Sequence, residues 1–353
     1  MHNLSEMPAR LAAFLALNEP EVDHIEVTSY EPMTGGYSRI LAKAVTVWTS
    51  GATRTTRTFV LRGDPPADKA LIVTDRSQEF AVLRAVEGAV SVSRAHYLDA
   101  TGEHLGTPAL VLDHVDAASL LPHMAGRDDA ANADLARPLA EAAAAFHTIP
   151  LDALPPELAR PANWDAYIAD RIDEWRRTAH AHVESMPILR YVAAWLDAHR
   201  PPPVELALVH GDFQSANLMR ADDGRLVVLD WELALIGDPR EDIGYFKAVA
   251  TAAPPDVTAL DEAAFYGRYR ELTGMTEEQI NPAIAAYFLV LGVIGTVRRL
   301  VEGGAAYAKG ENTALGSAFS LSSVMFGQSM WMAGCAQLEM VFDAAKSAAG
   351  GAS

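Results

Sequence analysis

Strand-like alternation of apolar and polar residues dominates the chain up to about Pro108. The stretches "HIEVTSYEPM", "ILAKAVTVWTS" and "TRTTRTFVLRGDPP" each predict a strand, and the last is ended by a proline pair. In "DRSQEFAVLRAVEG", Phe80, Leu83 and Val86 recur at helical spacing ahead of Gly88, which predicts a helix with a defined end. "TPALVLDHVDAASL" then predicts a strand that runs into a polar connector. This part of the chain is therefore expected to form a small β-rich lobe.

Helical periodicity takes over from Ala130. "ADLARPLAEAAAAFHTI", "NWDAYIADRIDEWRRTAHAHV" and "PILRYVAAWLDAHR" predict three helices, and the chain after Pro254 is predicted to be helical again. Between these blocks, "LALVHGD" and "RLVVLDW" predict a β-hairpin joined through the turn "ADDG". We therefore predict an α+β protein with a lobe over residues 1–115 and a larger helical lobe over residues 116–353. A cleft between two such lobes is a usual place for a ligand.

Composition excludes several classes of partner. The chain has 353 residues, a formal net charge of -18 and one cysteine, Cys335. Such a charge argues against binding to nucleic acid or to an anionic membrane surface, and a single cysteine cannot form an internal disulfide. The most hydrophobic stretch, Ala283 to Val297, is shorter than the roughly 20 residues of a membrane span and predicts a buried helix. With no basic segment or cleavage site near the N-terminus, these features predict a cytoplasmic protein.

Acidic and amide side chains are concentrated between the two predicted strands. Asp212 ends the first strand, Asn217 follows five residues later, and Asp230 ends the partner strand of the predicted hairpin. We expect the three to converge. Two carboxylates and an amide oxygen are too few ligands to enclose a cation, which suits Mg²⁺ held partly by water and substrate phosphates. The spacing Asp–x₄–Asn followed by Asp–aromatic is also that of the catalytic loop and metal-binding motif of protein kinases.

The motifs "HGDFQSANLM" and "VVLDWE" closely resemble those of the aminoglycoside phosphotransferase-like family, which has the protein-kinase fold. The resemblance is dense from Val209 to Tyr245 and extends with weaker anchors from about residue 30 to 300. It implies a bilobal protein-kinase-like fold, with a small β-rich lobe that binds a nucleotide and a helical lobe that holds a catalytic hairpin and the substrate pocket. It also implies Mg²⁺-dependent transfer of the γ-phosphoryl group of ATP, or of GTP, to a hydroxyl group of a small molecule.

The resemblance carries roles for individual residues of the helical lobe. Asp212 would be the catalytic base, and Asn217 and Asp230 would be the ligands of Mg²⁺. Asp242, in "GDPREDIGY", would brace the catalytic loop by hydrogen bonds. For His210 the alternatives are a base or a metal ligand and a structural residue. The residue two before the catalytic aspartate generally supports the loop in this family, and we predict a structural role for it.

The β-rich lobe carries weaker anchors, and each has a simpler alternative. Gly35, Gly36 and Ser38, in "TGGYSRIL", lie where the family has its phosphate-covering loop, although a Gly–Gly pair is often an ordinary turn. Arg62 stands where the family usually has a phosphate-pairing lysine, and Glu79 stands where a helix glutamate would pair with it. The alternatives are a solvated arginine at a strand end and a surface glutamate.

The connector between the lobes is expected to contact the nucleotide base. In "LVLDHVDAASL", Asp113, His114 and Val115 would contribute backbone hydrogen bonds, as the inter-lobe hinge of this fold does. Side chains here do not distinguish ATP from GTP. His147, on the alanine-rich helix, fits a family pattern and is predicted to be structural.

The acceptor is indicated only by a branch of the family. "ADRIDEWRR" and the segment around Arg62 resemble the kinase-like domains fused to some acyl-CoA dehydrogenases, which points to an acyl-CoA-type or other metabolic alcohol. Two other functions stay open: a catalytically silent nucleotide-binding protein, if Arg62 does not replace the lysine, and a metallohydrolase that uses His210, Asp212 and Asp230. The apolar helices near the C-terminus could cover a homodimer interface or only the substrate pocket.

Overall fold

The computed structural model describes residues 6–33, 40–64, 75–121, 133–182, 188–252, 260–310 and residue 339. The chain divides into two compact units, Met1–Ala117 and Ala118–Ser353. The first is built around an antiparallel sheet and the second is mainly helical, so the predicted α+β class is confirmed. The assignment of nucleotide binding to the first unit remains a prediction.

The first unit is a five-stranded sheet flanked by two helices. Its elements are α1 (Met7–Asn18), β1 (His24–Pro32), β2 (Ile40–Ser50), β3 (Thr53–Gly63), α2 (Arg76–Val86), β4 (Ala95–Asp99) and β5 (Ala109–Asp113). The strands are ordered β1-β2-β3-β5-β4 and every pair is antiparallel. The predicted strands and the predicted helix are all present.

An apolar core holds α1 against the sheet. Leu11 and Leu15 of α1 are buried together with Trp48, Phe59 and Leu61 of β2 and β3. Helix α2 begins where Asp75 accepts hydrogen bonds from the backbone N–H groups of the first turn. This packing fixes the C-terminal part of β3 against α1.

The second unit begins with a short strand and continues with helices. Its elements are β6 (Ala118–Ser119), α3 (Ala136–His147), α4 (Trp164–Ala181), α5 (Ile188–Ala198), β7 (Ala207–Val209), β8 (Leu218–Arg220), β9 (Leu226–Val228), β10 (Leu235–Gly237), α6 (Arg240–Ala252), α7 (Glu262–Thr273), α8 (Pro282–Gly292) and α9 (Ile294–Ala308). Trp175 and Trp195 lie in a core formed mainly by α4, α5, α8 and α9. The apolar stretch 283–297 forms α8 and the start of α9, as a buried helical region should. No helix in the described part of the chain is both long and apolar enough to cross a membrane.

The predicted hairpin is wrong in its strand pairing. The tight turn from Ala221 to Gly224 joins β8 to β9, whereas β7, which ends before His210, pairs antiparallel with β10. A turn of this length can connect only the residues that flank it directly, and these are the short segment after Asn217 and the strand that leads to Asp230. The stretch from β7 to β10 therefore forms two small antiparallel ladders, β7 with β10 and β8 with β9, instead of one hairpin of β7 with β9.

Glycines at two helix positions test the packing of the second unit. A Cβ on Gly244 of α6 would collide with the backbone of Phe288 and Leu289 of α8, whereas a Cβ on Gly267 of α7 would meet open space. Gly244→Ala should destabilise the protein by roughly 1–3 kcal/mol, because two helix backbones must separate. Gly267→Ala should stabilise it by up to about 1 kcal/mol, because alanine is the better helix former. Unfolding in urea measures both, and equal effects of the two changes would contradict this packing.

Candidate active site

A buried carboxylate fixes the loop that follows β7. Asp242, in the first turn of α6, accepts hydrogen bonds from the backbone N–H groups of His210 (2.7 Å) and Gly211 (2.9 Å). His147 at the end of α3 donates to the same carboxylate through Nε2 (3.1 Å) and accepts from the Tyr269 hydroxyl through Nδ1 (2.7 Å). The bracing role predicted for Asp242 and the structural role predicted for His147 are both present in these contacts.

The loop conformation requires glycine and a buried histidine. Gly211 has φ +80°, and a Cβ there would collide with the carbonyl oxygen of Leu233. His210 is fully buried; its Nε2 donates to the carbonyl oxygen of Leu229 (2.8 Å) and its Nδ1 accepts from the backbone N–H of Asp212 (3.2 Å). Both ring nitrogens of His210 are thus used within the loop, which is the structural role predicted for it.

The structure brings Asp212, Asn217 and Asp230 together. The Asp212 carboxylate accepts hydrogen bonds from the side-chain amides of Gln214 and Asn217, each at 2.7 Å. Burial raises the pKa of Asp212, and the neighbouring charge of Asp230 raises it further, against the opposing effects of His210 and of the hydrogen bond from Asn217. A carboxylate with a raised pKa is better suited to accept a proton than an ordinary exposed one.

Asp230 is held in an uncommon backbone conformation. It has φ 69°, in the left-handed region, where no other described residue except glycine is found. Side chains other than glycine seldom adopt this conformation unless the surrounding structure imposes it, and such residues cluster at functional sites. Asp230 is therefore a functional candidate on backbone conformation as well as on spacing.

Asn217 and Asp230 offer side-chain oxygen atoms of the kind that bind a hard metal ion. The Asn217 side-chain nitrogen donates to Asp212, which leaves its Oδ1 as the acceptor atom. In the described part of the chain no group of three or more His, Cys, Asp and Glu side chains is placed to hold a metal. One amide oxygen and one carboxylate suit Mg²⁺, which commonly keeps waters and binds substrate phosphates in its other positions.

A separate buried ion-pair cluster lies in the first unit. Arg62 of β3 pairs with Glu79 of α2 at 3.2 Å, and both side chains are buried. The pairing predicted from the sequence is therefore present, and the alternatives of a solvated arginine and a surface glutamate are wrong. Glu79 also pairs with Arg76, whose Nε binds Asp64 at 2.7 Å. Arg76 was missed, although its position three residues before Glu79 places the two on one helix face.

Two of the three hinge residues already use their backbone N–H groups. Asp113 donates to the carbonyl oxygen of Arg94 (2.9 Å) and His114 donates to that of Thr58 (3.1 Å). The N–H of Val115 makes no hydrogen bond to the described residues. The N–H groups of Asp113 and His114 are therefore used within the first unit, and the contact of the three residues with a nucleotide base stays a prediction.

The sequence also predicts a phosphate-covering loop. Gly35, Gly36 and Ser38 lie outside the described residues, so their role stays a prediction. The two strands predicted on either side, β1 and β2, are present and pair antiparallel.

Two arginines of the second unit that pair with buried carboxylates were also missed. Arg240 forms a bidentate pair with the fully buried Asp238 (2.9 and 2.7 Å), which also accepts from the indole of Trp164 (2.6 Å). Arg171 binds Glu241 through two nitrogens (3.1 and 2.7 Å). The alternation of acids with arginine in "GDPRED" was the available signal. These pairs fix the start of α6 and therefore the position of the carboxylate that braces the loop.

The chain matches one protein-family model and is similar to several curated proteins and solved structures. Residues 44–277 match the model of the phosphotransferase enzyme family. Mouse acyl-CoA dehydrogenase family member 10 is 26% identical over 194 residues, which cover 54% of this chain and 18% of that protein. The chain spans between 11% and 25% of the length of the first curated relatives that it matches.

Solved structures share the fold along most of the chain. A putative aminoglycoside phosphotransferase from Ralstonia eutropha has a TM-score of 0.69 and 21% identity, covering 94% of this chain and 98% of its own. A GDP complex of an aminoglycoside 2′-phosphotransferase has a TM-score of 0.63 and 16% identity, covering 92% and 97%. At these identities the likeness shows the fold, and the predicted bilobal protein-kinase-like fold is confirmed.

Two glycines with left-handed backbones test the loop geometry. Gly211→Ala should destabilise the protein by more than the roughly 1–2 kcal/mol that a left-handed alanine costs, because the added Cβ also collides with Leu233. Gly224→Ala, at φ +85° in the turn between β8 and β9, meets open space and should show only the backbone cost. Equilibrium unfolding in urea separates the two. A smaller loss for Gly211→Ala than for the control would show that the loop is not packed in this way.

Proposed function

Because the chain belongs to the phosphotransferase enzyme family, we propose that it is a Mg²⁺-dependent small-molecule kinase that transfers the γ-phosphoryl group of ATP, or of GTP, to a hydroxyl group. Membership of the family and the shared fold make it a phosphotransferase with an alcohol group as acceptor. The observation that carries the proposal is the loop braced by Asp242, which holds a half-buried Asp212 of raised pKa beside Asn217 and Asp230.

Asp212 is the proposed catalytic base. It aligns the acceptor hydroxyl and takes its proton as the oxygen bonds to the γ-phosphorus and the bond to the β–γ bridging oxygen breaks, which releases the nucleoside diphosphate. Gln214 and Asn217 hold the two carboxylate oxygens of Asp212 in place. Mg²⁺, when bound, would supply charge neutralisation on the phosphates, and Asn217 Oδ1 and Asp230 would hold it. Positioning and electrostatics account for most of the acceleration in this reaction class.

Arg62 is proposed to contact the nucleotide phosphates in place of the usual lysine. Its permanent charge and planar set of donors suit phosphate oxygens, and its pair with Glu79 orients it. The N–H of Val115 is the proposed donor to the nucleotide base. Gly35, Gly36 and Ser38 are proposed to cover the phosphates with backbone N–H groups.

The acceptor is proposed to be an acyl-CoA-type or other metabolic alcohol. Support comes from the matched curated proteins, whose names are those of acyl-CoA dehydrogenase family members. The chain covers a quarter of their length or less, so this support concerns a domain of those proteins. Cytoplasmic location and a homodimer remain predictions from composition and from the apolar helices.

One other function keeps a specific observation in its favour. Arg62 stands in the position of a lysine and shares Glu79 with Arg76, which would suit a catalytically silent nucleotide-binding protein as well as an enzyme. The metallohydrolase loses support, because His210 uses both ring nitrogens for the loop and offers none to a metal.

Nucleotide binding should depend on the proposed metal ligands. We expect ATP or GTP to raise the melting temperature of the protein in the presence of Mg²⁺, and Asp230→Ala to abolish most of that rise. A ligand at 100 times its Kd contributes about 2.7 kcal/mol to stability, which a thermal-shift titration resolves. Asp223→Ala is the matched control, since Asp223 lies exposed in the turn between β8 and β9 and pairs with Arg225. No shift with either nucleotide, or an equal shift in Asp230→Ala, would count against the proposal.

A further inference from the structure

A cavity of about 270 Å³ lies within the second unit, beside the catalytic loop. Its walls come from α4, α6, α9 and the segment that follows Asp230. The residues that matter for its chemistry are Gly211, Tyr245, Arg171, Glu174, Glu241 and Arg298. Gly211 directly precedes the proposed base, so a molecule bound here would lie next to the site of phosphoryl transfer.

The carboxylates of this wall are already satisfied. Glu241 accepts from the Tyr167 hydroxyl (2.7 Å) and from Arg171 Nε (3.1 Å) on one oxygen, and from Arg171 Nη2 (2.7 Å) on the other. Glu174 binds Arg171 Nη1 (2.8 Å) through one oxygen and Arg298 Nη1 (3.0 Å) through the other. Asp242 is occupied by the catalytic loop. In the described part of the wall, each of these carboxylate oxygens therefore has a donor.

The two arginines differ in how firmly they are held. Burial lowers the pKa of Arg171, but the carboxylates of Glu241 and Glu174 outweigh this effect, and the pKa lies above its ordinary value. Arg298 is 46% exposed, with ion pairs to Glu174 at 3.0 Å and to Glu302 at 4.0 Å. If Arg298 turned toward a ligand, Glu174 would keep its pair with Arg171. Arg298 is thus the cation of the wall that can exchange partners without leaving a buried charge unpaired.

We propose that this cavity binds the acceptor and that Arg298 selects acceptors that carry a carboxylate over those that carry an ammonium group. The identification of the bound molecule as the phosphoryl acceptor rests on the proposed function. The preference for a carboxylate rests on the charged side chains that line the cavity. A carboxylate only accepts hydrogen bonds and matches the fork of a guanidinium. An ammonium group only donates, so it would have to compete with the arginines for the carboxylates of this wall. The volume is below the roughly 300–1,000 Å³ of pockets for drug-sized ligands, so the part of the acceptor held here is compact.

Three compounds with the same three-carbon skeleton test the preference. Glycerate carries a carboxylate, glycerol is neutral and 3-amino-1,2-propanediol carries an ammonium group. We expect calorimetric titration of the nucleotide-free protein to give the tightest binding with glycerate and the weakest with the amino alcohol. A charge-assisted hydrogen bond is typically reflected in about a tenfold or larger change in affinity.

Variants of Arg298 assign the effect to this side chain. Arg298→Gln should weaken glycerate binding by about tenfold or more without improving that of glycerol, and Arg298→Lys should keep part of the affinity. Arg176→Gln is the matched control, because Arg176 is also 46% exposed and paired with Asp173 and Asp197, but does not line this cavity. Urea unfolding of each variant shows that it is folded.

The outcomes are distinguishable from those for the proposed function. Failure of glycerate to bind, equal binding of all three compounds, tighter binding of the amino alcohol, or unchanged binding in Arg298→Gln would each overturn the inference. None of these titrations uses a nucleotide. Glycerate binding with no response to Mg²⁺ and nucleotide would therefore retain the anion preference of the cavity while removing the kinase proposal. A response to Mg²⁺ and nucleotide without glycerate binding would retain the kinase proposal and remove the anion preference.

Discussion

The hydrogen bonds from two consecutive backbone N–H groups to Asp242 are the interaction on which the candidate site depends. They hold His210 and Gly211 at the start of the loop, and the loop in turn presents Asp212. Each N–H group left unsatisfied in this buried place would cost about 1–3 kcal/mol. The carboxylate is itself held by His147, which receives a hydrogen bond from Tyr269. A chain of buried polar contacts therefore runs from α7 through α3 to the loop.

This support allows the site to keep an arrangement that is unfavourable by itself. Asp212 and Asp230 are like charges close enough to raise the pKa of Asp212, and Asp230 lies in a left-handed backbone conformation. A free chain would relieve both the repulsion and the strain, so the surrounding structure must impose them. A cation that bridges to substrate phosphates would offset the repulsion between the two carboxylates of this preorganised pair. This electrostatic match is the basis of the proposed kinase function.

Much of the fold and of the site was predictable from local pattern. Period-two alternation predicted β1 to β3, and helical spacing predicted α2, because each signal lies within one element. The pairing of β7 was predicted wrongly, because strands of three residues carry too little pattern to show their partners. Asp212, Asn217 and Asp230 were found through their spacing. The fully buried Arg240 was not, because a charged residue on a helix gives no sign in the sequence of whether its partner is water or a buried carboxylate.

The central claim is that the braced loop makes Asp212 a base for phosphoryl transfer. Phosphorus NMR of wild type and Asp212→Asn, each with Mg²⁺, ATP or GTP and a panel of hydroxylated metabolites, tests it most directly. The account predicts a phosphomonoester signal with at least one acceptor in wild type, and its near disappearance in Asp212→Asn while that variant still binds the nucleotide. Equal phosphomonoester formation by both proteins, or none by wild type with any acceptor although the nucleotide binds, would contradict it.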